Sequence, residues 1–397
     1  MKKQGSVLGG ILLISGSCIG AGMLANPVIM GLGGFFPSLS MMLLAWAFMS
    51  FTGLLIVEIN GWFTKRVNII SMAEHGLGKF GRILSWFLYL FLFYSLLVGY
   101  IAVCGSMLSN LLESILSIHL SDWVFSLVFV GFFGSFVYLG TKAVDGINRL
   151  LMVGLITSFF LMVSPGLFKI APSYLLYADK SYLIASLPIL IVSFGFHNMI
   201  PTLTHYLDND LKKMRIVVIV GSFLALAVYL LWNILVLGIV PVTGENGLLQ
   251  LYSEGKSATE GLKIELQSGW VSLFAQSFGF FAIVTSFVAQ ALALVHFIGD
   301  GLKVSVPKSK SYLLFLALTP PTAFALLYPN IFYSALSFAG GICAVILFGL
   351  FPALIAYKGR YFEKICEKYQ VFGKKPLLVF VLAFSIYLVA FEIYRLF

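Results

Sequence analysis

The sequence predicts an all-α membrane protein of about eleven transmembrane helices in one domain spanning residues 1–397. Three observations carry that expectation. Hydrophobic residues make up 60% of the chain and Asp, Glu, Lys and Arg only 10%, whereas soluble domains are about half apolar and a quarter charged. Apolar windows of roughly 20 residues, the length that crosses a bilayer as a helix, recur with short polar breaks. The breaks alternate in charge. Together these exclude a soluble fold, a disordered chain and, with four Cys in all, a disulfide-rich secreted domain.

Taken in order, the spans fall near 7–31, 36–60, 83–107, 123–140, 150–168, 183–206, 216–240, 270–298, 311–328, 331–357 and 376–396. The opening MKKQ and its apolar run imitate a secretory signal. The run is longer than a signal core and carries a glycine cluster, so it reads as an uncleaved first span. The joint between spans nine and ten is the tightest, at Tyr328-Pro329-Asn330, where proline stops the preceding helix. The longest loop, 241–269, contains a stretch from Ala258 to Leu266 expected to form a short external helix. Glu363, Glu367 and the lysines around them are expected to form a solvated cytoplasmic helix. Continuous windows of this length exclude a β-barrel, whose strands alternate.

The net charge of +9 would fit nucleic acid or an anionic surface if it were clustered. With the N-terminus inside, 20 of the 25 Lys and Arg fall in inner segments and 5 outside. That asymmetry is the positive-inside rule. The charge is topological, nucleic acid is excluded as a partner, and an odd number of spans puts the C-terminus outside. Membrane lipid is the expected surround; oligomeric state is not set by the sequence. Cys18, Cys104, Cys343 and Cys366 make no CxxC or Cys/His pattern, so no metal site is expected.

Two spans are poorly built as simple anchors. Span one reads Gly16-Ser17-Cys18-Ile19-Gly20-Ala21-Gly22 and reaches Asn26-Pro27, each glycine weakening a continuous helix by about 1 kcal/mol. Span six reads Ser193-Phe194-Gly195-Phe196-His197-Asn198, with Pro201 beyond. Small residues also serve close helix packing. Two such clusters at corresponding places, spans one and six, point instead to a five-plus-five inverted repeat with its discontinuous helices there. The first repeat would be 1–182, the second 183–357, with 376–396 appended. An interrupted helix offers amide donors at one new end and carbonyl acceptors at the other. A zwitterionic amino acid needs both.

These residues carry a resemblance. The stretches Gly-Ser-Cys-Ile-Gly-Ala-Gly-Met-Leu-Ala-Asn-Pro (16–27) and Ser-Phe-Gly-Phe-His (193–197) resemble the bacterial aromatic amino acid permeases, the tyrosine- and tryptophan-specific transporters. Weaker matches are Leu-Leu-Ile-Val-Glu (54–58), Thr-Ser-Phe (285–287) and Pro-Pro-Thr-Ala-Phe-Ala-Leu-Leu-Tyr-Pro (320–329). The resemblance implies a LeuT-like inverted-repeat fold of eleven helices in the bacterial inner membrane. It further implies import of an aromatic amino acid, tyrosine first, driven by an ion gradient and usually by protons rather than sodium. It would place an acidic residue near the end of span eight, where this chain has His296.

The candidate substrate-binding residues are Ser17, Cys18, Gly20, Ala21, Gly22, Tyr94, Tyr100, Ser193, Phe194, Gly195 and Phe196. Phe194 and Phe196 flank the break and could stack on a ring; Tyr94 and Tyr100 fit a pocket wall. The candidate ion-coupling residues are His197, Glu58, Thr285 and Ser286. His197 either relays a proton or holds the break open through a hydrogen bond. Glu58 titrates, braces span six, or is an interfacial carboxylate. Thr285 and Ser286 resemble the hydroxyl pair that helps ligate the ion in sodium-coupled relatives of this fold; otherwise they bond back to their own helix. His296 reads as interfacial. No cofactor and no metal are expected. An intramembrane enzyme is the rival from another class, but no HExxH, no GxSxG and no carboxylate cluster lies within the spans. No charged or carbonyl filter segment marks a channel, and no P-loop marks an ATPase.

Overall fold

The computed structural model describes residues 6–20, 22–63, 67–116, 121–266, 269–304, 309–365 and 369–396. Among the described residues there is no strand. Ten helices are long and apolar enough to cross a membrane, and a bent pair makes an eleventh span. The expectation of about eleven spans holds.

Span one is that bent pair. Helix α1 (Val7–Cys18) starts where the Ser6 hydroxyl accepts the Gly9 amide at 2.9 Å, and α2 (Gly22–Gly33) leaves it at 57°. Gly34 follows at φ +84°, where a Cβ would strike the Tyr177 carbonyl, so the chain turns tightly into α3 (Phe35–Gly61). Helix α4 (Ile69–Leu116) is longer than the predicted span three, because its first turns run before a kink at Gly78 (φ 69°, ψ −161°). Helix α5 (Asp122–Leu139) ends on Gly140 at φ 100°. Directly after it, α6 (Thr141–Gly166) begins nine residues before the predicted span five. The polar stretch 142–149 had the composition of a loop, but Asp145 and Arg149 pair at 2.9 Å one turn apart and support a helix.

Span six is interrupted as expected. Helix α7 (Leu183–Ser193) stops, three residues run irregularly, a 3-10 turn covers His197–Met199, and α8 (Ile200–Tyr206) resumes. Asp210 Oδ1 accepts the Lys212 and Lys213 amides and caps α9 (Leu211–Ile239). The long loop holds α10 (Leu248–Ser253) and α11 (Ala258–Leu266). The second lies where the sequence placed a short helix.

Then come α12 (Gly269–Leu302), α13 (Lys310–Leu327), α14 (Phe332–Phe338), α15 (Phe351–Tyr361) and α16 (Lys374–Leu396). Between α14 and α15 the ladder widens into a π-helix, Ala339–Leu350. Its glycines let neighbours press in: a Cβ at Gly340 would strike the Pro188 carbonyl, and one at Gly349 would come 2.5 Å from the Phe48 ring. Large apolar side chains such as Phe132, Phe160, Phe315 and Ile386 face outward and make the lipid surface.

One expected helix is absent. Described residues 362–365 and 369–373 are not helical; Glu367 and Cys366 lie outside the described residues. The segment instead folds back so that buried Val371 gives its amide to Glu58 at 2.7 Å. A buried carboxylate needs donors, and this bond outweighs the weak helical tendency of a short charged loop.

Candidate functional site

A cavity of about 490 Å³ lies at the two interruptions. Of the predicted substrate-binding residues, Ser17, Cys18, Gly20, Gly22, Tyr100, Ser193 and Gly195 line it, together with Thr285 and Ser286 from α12. Ala21 lies outside the described residues. The aromatic walls are Tyr89, Phe93, Tyr100 and Phe348, and the polar lining adds Asn148, Asn198 and Gln290. No described lining residue is Asp, Glu, Lys, Arg or His. Any charge on a molecule held here would therefore have to be met by helix ends: α2 begins at Gly22, while α1 and α7 end at Cys18 and Ser193.

The contact between the two interruptions is close. A Cβ at Gly22 would lie 2.6 Å from Ser193 Oγ and 3.2 Å from its Cα, and one at Gly20 would lie 2.6 Å from Ser286 Oγ. Ser193 also donates to Asn26 Oδ1 at 3.0 Å across the gap. Helix α9 completes the joint. The Tyr229 hydroxyl lies 2.5 Å from the Cys18 carbonyl and 2.9 Å from the Ser193 carbonyl, the last residues of α1 and α7. Trp232 Nε1 donates to the Met23 carbonyl at 2.7 Å. The single proton of one fully buried tyrosine is thus shared between the two carbonyl ends that the interruptions free. Removing that hydroxyl removes the one proton these buried acceptors share, at about 1–3 kcal/mol. Tyr229→Phe is expected to lower thermal stability in detergent by about 1–3 kcal/mol; an unchanged melting midpoint would contradict this joint.

The other predicted residues sit elsewhere. Phe194 and Phe196 are fully buried but do not line the cavity. Phe194 packs edge-on against Tyr229 at 5.1 Å, and Phe196 fills the space over Gly53. Residues beside a break are needed to plug the packing defect it leaves. Tyr94 points away as well, its hydroxyl donating to the Leu316 carbonyl on α13 at 2.7 Å. His197 is fully buried between the rings of Phe196 and Phe348, at 4.8 and 4.9 Å. Its Nε2 meets Thr52 Oγ1 of α3 at 2.9 Å, while Nδ1 has no protein partner. Thr285 and Ser286 bond back to the carbonyls of Phe281 and Ala282. His296 is exposed.

Glu58 finds its hydrogen-bond partners outside span six. Its side chain is wholly buried and takes both arms of Arg360: Nε lies 2.7 Å from Oε1, and Nη2 pairs with Oε2. The brace joins α3 to α15 and the loop behind it. Arg360, Tyr229, Asn148 and Gln290 escaped the sequence reading. The signal for one existed: Tyr229, Trp232 and Asn233 share one face of an otherwise apolar span, where polar groups cost most.

The cavity is open at one end. Leu12, Leu13 and Ser17 along α1 are exposed, whereas every residue of α2 from Met23 to Gly33 is buried. The opening lies beside α1 and the Asn148–Met152 turn of α6. An α-helical multi-pass membrane protein with a solute-sized, charge-free cavity between two interrupted helices is the class these features define. The comparisons narrow it. The chain belongs to the tryptophan/tyrosine permease family, whose model matches residues 3–392. That family is one of transport permeases, not of enzymes. Among its relatives, the tyrosine-specific transport system 1 of Haemophilus influenzae is 33% identical over 386 residues, 96% of this chain and 94% of the relative. The tryptophan-specific transport protein of the same organism is 31% identical over 402 residues, covering 97% and 95%. The low affinity tryptophan permease of Escherichia coli is 27% identical over 395 residues, covering 97% and 94%.

Proposed function

We propose that this chain imports an aromatic amino acid, tyrosine ahead of tryptophan, across the bacterial inner membrane by symport with protons. The observation that carries the reading is the cavity itself. Its walls are aromatic, its polar ends are helix ends, and it holds no ionised side chain, which suits a neutral zwitterion with a ring. The amides of Asn148, Asn198 and Gln290 offer a phenol hydroxyl the partner it needs on leaving water. An indole N–H has the same need, so both substrates belong in the test.

Interruptions at spans one and six support two inverted repeats, 1–182 and 183–357, with 376–396 appended, and alternating access around the cavity. The Lys and Arg split of 20 to 5 supports a cytoplasmic N-terminus and an outside C-terminus. In that orientation the open end faces the cytoplasm.

For coupling, His197 is the titratable group within the second interruption, and its Nδ1 is free of protein partners. The hydroxyls of Thr285 and Ser286 beside Gly20 are where a sodium ion would sit instead. Labelled tyrosine and tryptophan uptake into proteoliposomes, with pH and sodium gradients imposed separately, decides between them. Accumulation under the pH gradient alone is expected, with His197→Gln reducing accumulation more than exchange. A strict sodium requirement would overturn the proton assignment. Uptake of neither amino acid would overturn the substrate.

A further inference from the structure

The cavity's closed end has a lid with a titratable group in it. Tyr100 on α4 and Ser286 on α12 line the cavity. Seven residues along each helix, two turns and about 10 Å farther from the opening, stand Met107 and Gly279. The first turn of α11 arrives there. A Cβ at Gly279 would meet the Met107 methyl and would lie 2.8 Å from Thr259 Oγ1. The chain leading into α11 is seated on the start of α14: the Tyr333 hydroxyl donates to the Lys256 carbonyl at 2.5 Å, and the rings of Tyr252 and Tyr333 lie 5.0 Å apart. At Gly255 (φ +68°) a Cβ would come within 2.9 Å of the Asn330 backbone.

Glu260 follows Thr259 and is only 7% exposed, and its Oε1 has no protein partner. Of the two neighbouring cations, Lys256 is already engaged. Lys256 Nζ lies 2.6 Å from Glu254 Oε2, and Gln250 donates to the other oxygen of Glu254 at 2.7 Å. A charge on Glu260 is therefore poorly balanced. Burial, the largest influence, raises its carboxyl to about 7; Lys256 and Lys263 pull the other way, and Asp122 and Glu254 add to the rise. From the packed elements, α14 presents Tyr333 and α10 presents Tyr252. Helix α2 has no titratable side chain, the 230–239 end of α9 has none (its Lys212, Lys213 and Arg215 lie at the other end), and α12 has none before His296.

We propose that Glu260 is a proton-binding latch on this lid: the neutral carboxyl keeps α11 seated over the closed end, and loss of its proton releases the seat. The proposal rests on the transporter reading, because a latch has meaning only on a path that opens. The sign follows from linkage. The seated state binds the proton more tightly than an open state in which the carboxyl meets water and titrates near its ordinary 4.5. Seating is therefore favoured at low pH and weakens as pH rises from that value to about 7. Each pH unit in that interval changes the closed-to-open ratio by up to roughly tenfold, with no further change above it. With α11 outside, an acidic exterior closes the lid behind an entering substrate.

The test places a cysteine beneath the lid, Met107→Cys, in a chain whose four native cysteines are replaced by alanine. Labelling by a membrane-impermeant maleimide is followed across pH, with and without Glu260→Gln. Comparing the two proteins at each pH cancels the ionisation of the thiol. Between pH about 5 and about 7, labelling relative to Glu260→Gln is expected to rise by roughly tenfold or more. Lys263→Gln, which keeps Glu260, is expected to move the midpoint to higher pH. A ratio flat across pH, or a midpoint that ignores Lys263→Gln, overturns the latch; should Glu260→Gln fail to fold, the Lys263→Gln comparison alone decides. Tyrosine and tryptophan uptake by the unaltered chain is measured alongside. A pH-responsive ratio without uptake sinks the transport reading alone, and normal uptake with a flat ratio sinks the latch alone.

Discussion

Gly22→Leu is expected to abolish uptake while the protein remains in the membrane. Even a methyl at this position would lie 2.6 Å from Ser193 Oγ and 3.2 Å from the Ser193 backbone. Backbone cannot step aside as a flexible side chain does, so α2 and α7 would have to part. Overpacking a close contact costs about 1–3 kcal/mol, and the three further carbons of leucine put this case at the upper end. If that cost falls on reaching the transport-competent state, the rate drops by roughly a hundredfold. Gly16→Ala is the matched control. Gly16 also lines the cavity, but a Cβ there meets nothing within 4 Å, so uptake by this variant should stay within a few-fold of the parent. Equal activity of Gly22→Leu and the parent, measured per folded molecule, would show that the two interruptions do not need to touch.

The second large effect is on stability. Glu58→Gln removes the charge that Arg360 pairs with, in a place where the two side chains are 0% and 4% exposed. Breaking a buried pair by removing one partner typically costs about 3–5 kcal/mol, because the other charge stays buried alone. A markedly lower melting midpoint in detergent is expected for Glu58→Gln, and likewise for the single variants Glu58→Leu and Arg360→Leu. The double variant Glu58→Leu with Arg360→Leu should lose less than the two single effects added together, since it leaves no orphaned charge. An unaltered midpoint with lost gradient-driven accumulation would instead make Glu58 a proton carrier.

How much of this was legible beforehand differs residue by residue. The break between α1 and α2 was readable because glycine and proline act on the backbone locally. So was the helix at 258–266, and so was the number of spans, since apolar length is a property of the chain alone. The start of α6 was not. Its first turns are polar and look like loop in a hydropathy window, yet their charges pair along the helix. Phe194 and Phe196 were equally ambiguous. Their place beside a break marks them as important, but which way each ring turns depends on Tyr229 and Gly53, far away in sequence.

By itself, the sequence determined that this protein lives in a membrane, how many times it crosses, and where its helices come apart, because those follow from local hydrophobicity and backbone chemistry. Only the tertiary structure decided what closes those gaps. Glu58 lies 302 residues from Arg360, and the Tyr229 hydroxyl lies 211 residues from the carbonyl of Cys18. Such partners are chosen by the demand that every buried charge and freed carbonyl find a mate. That demand acts through space, and its solution is written in no single stretch of chain.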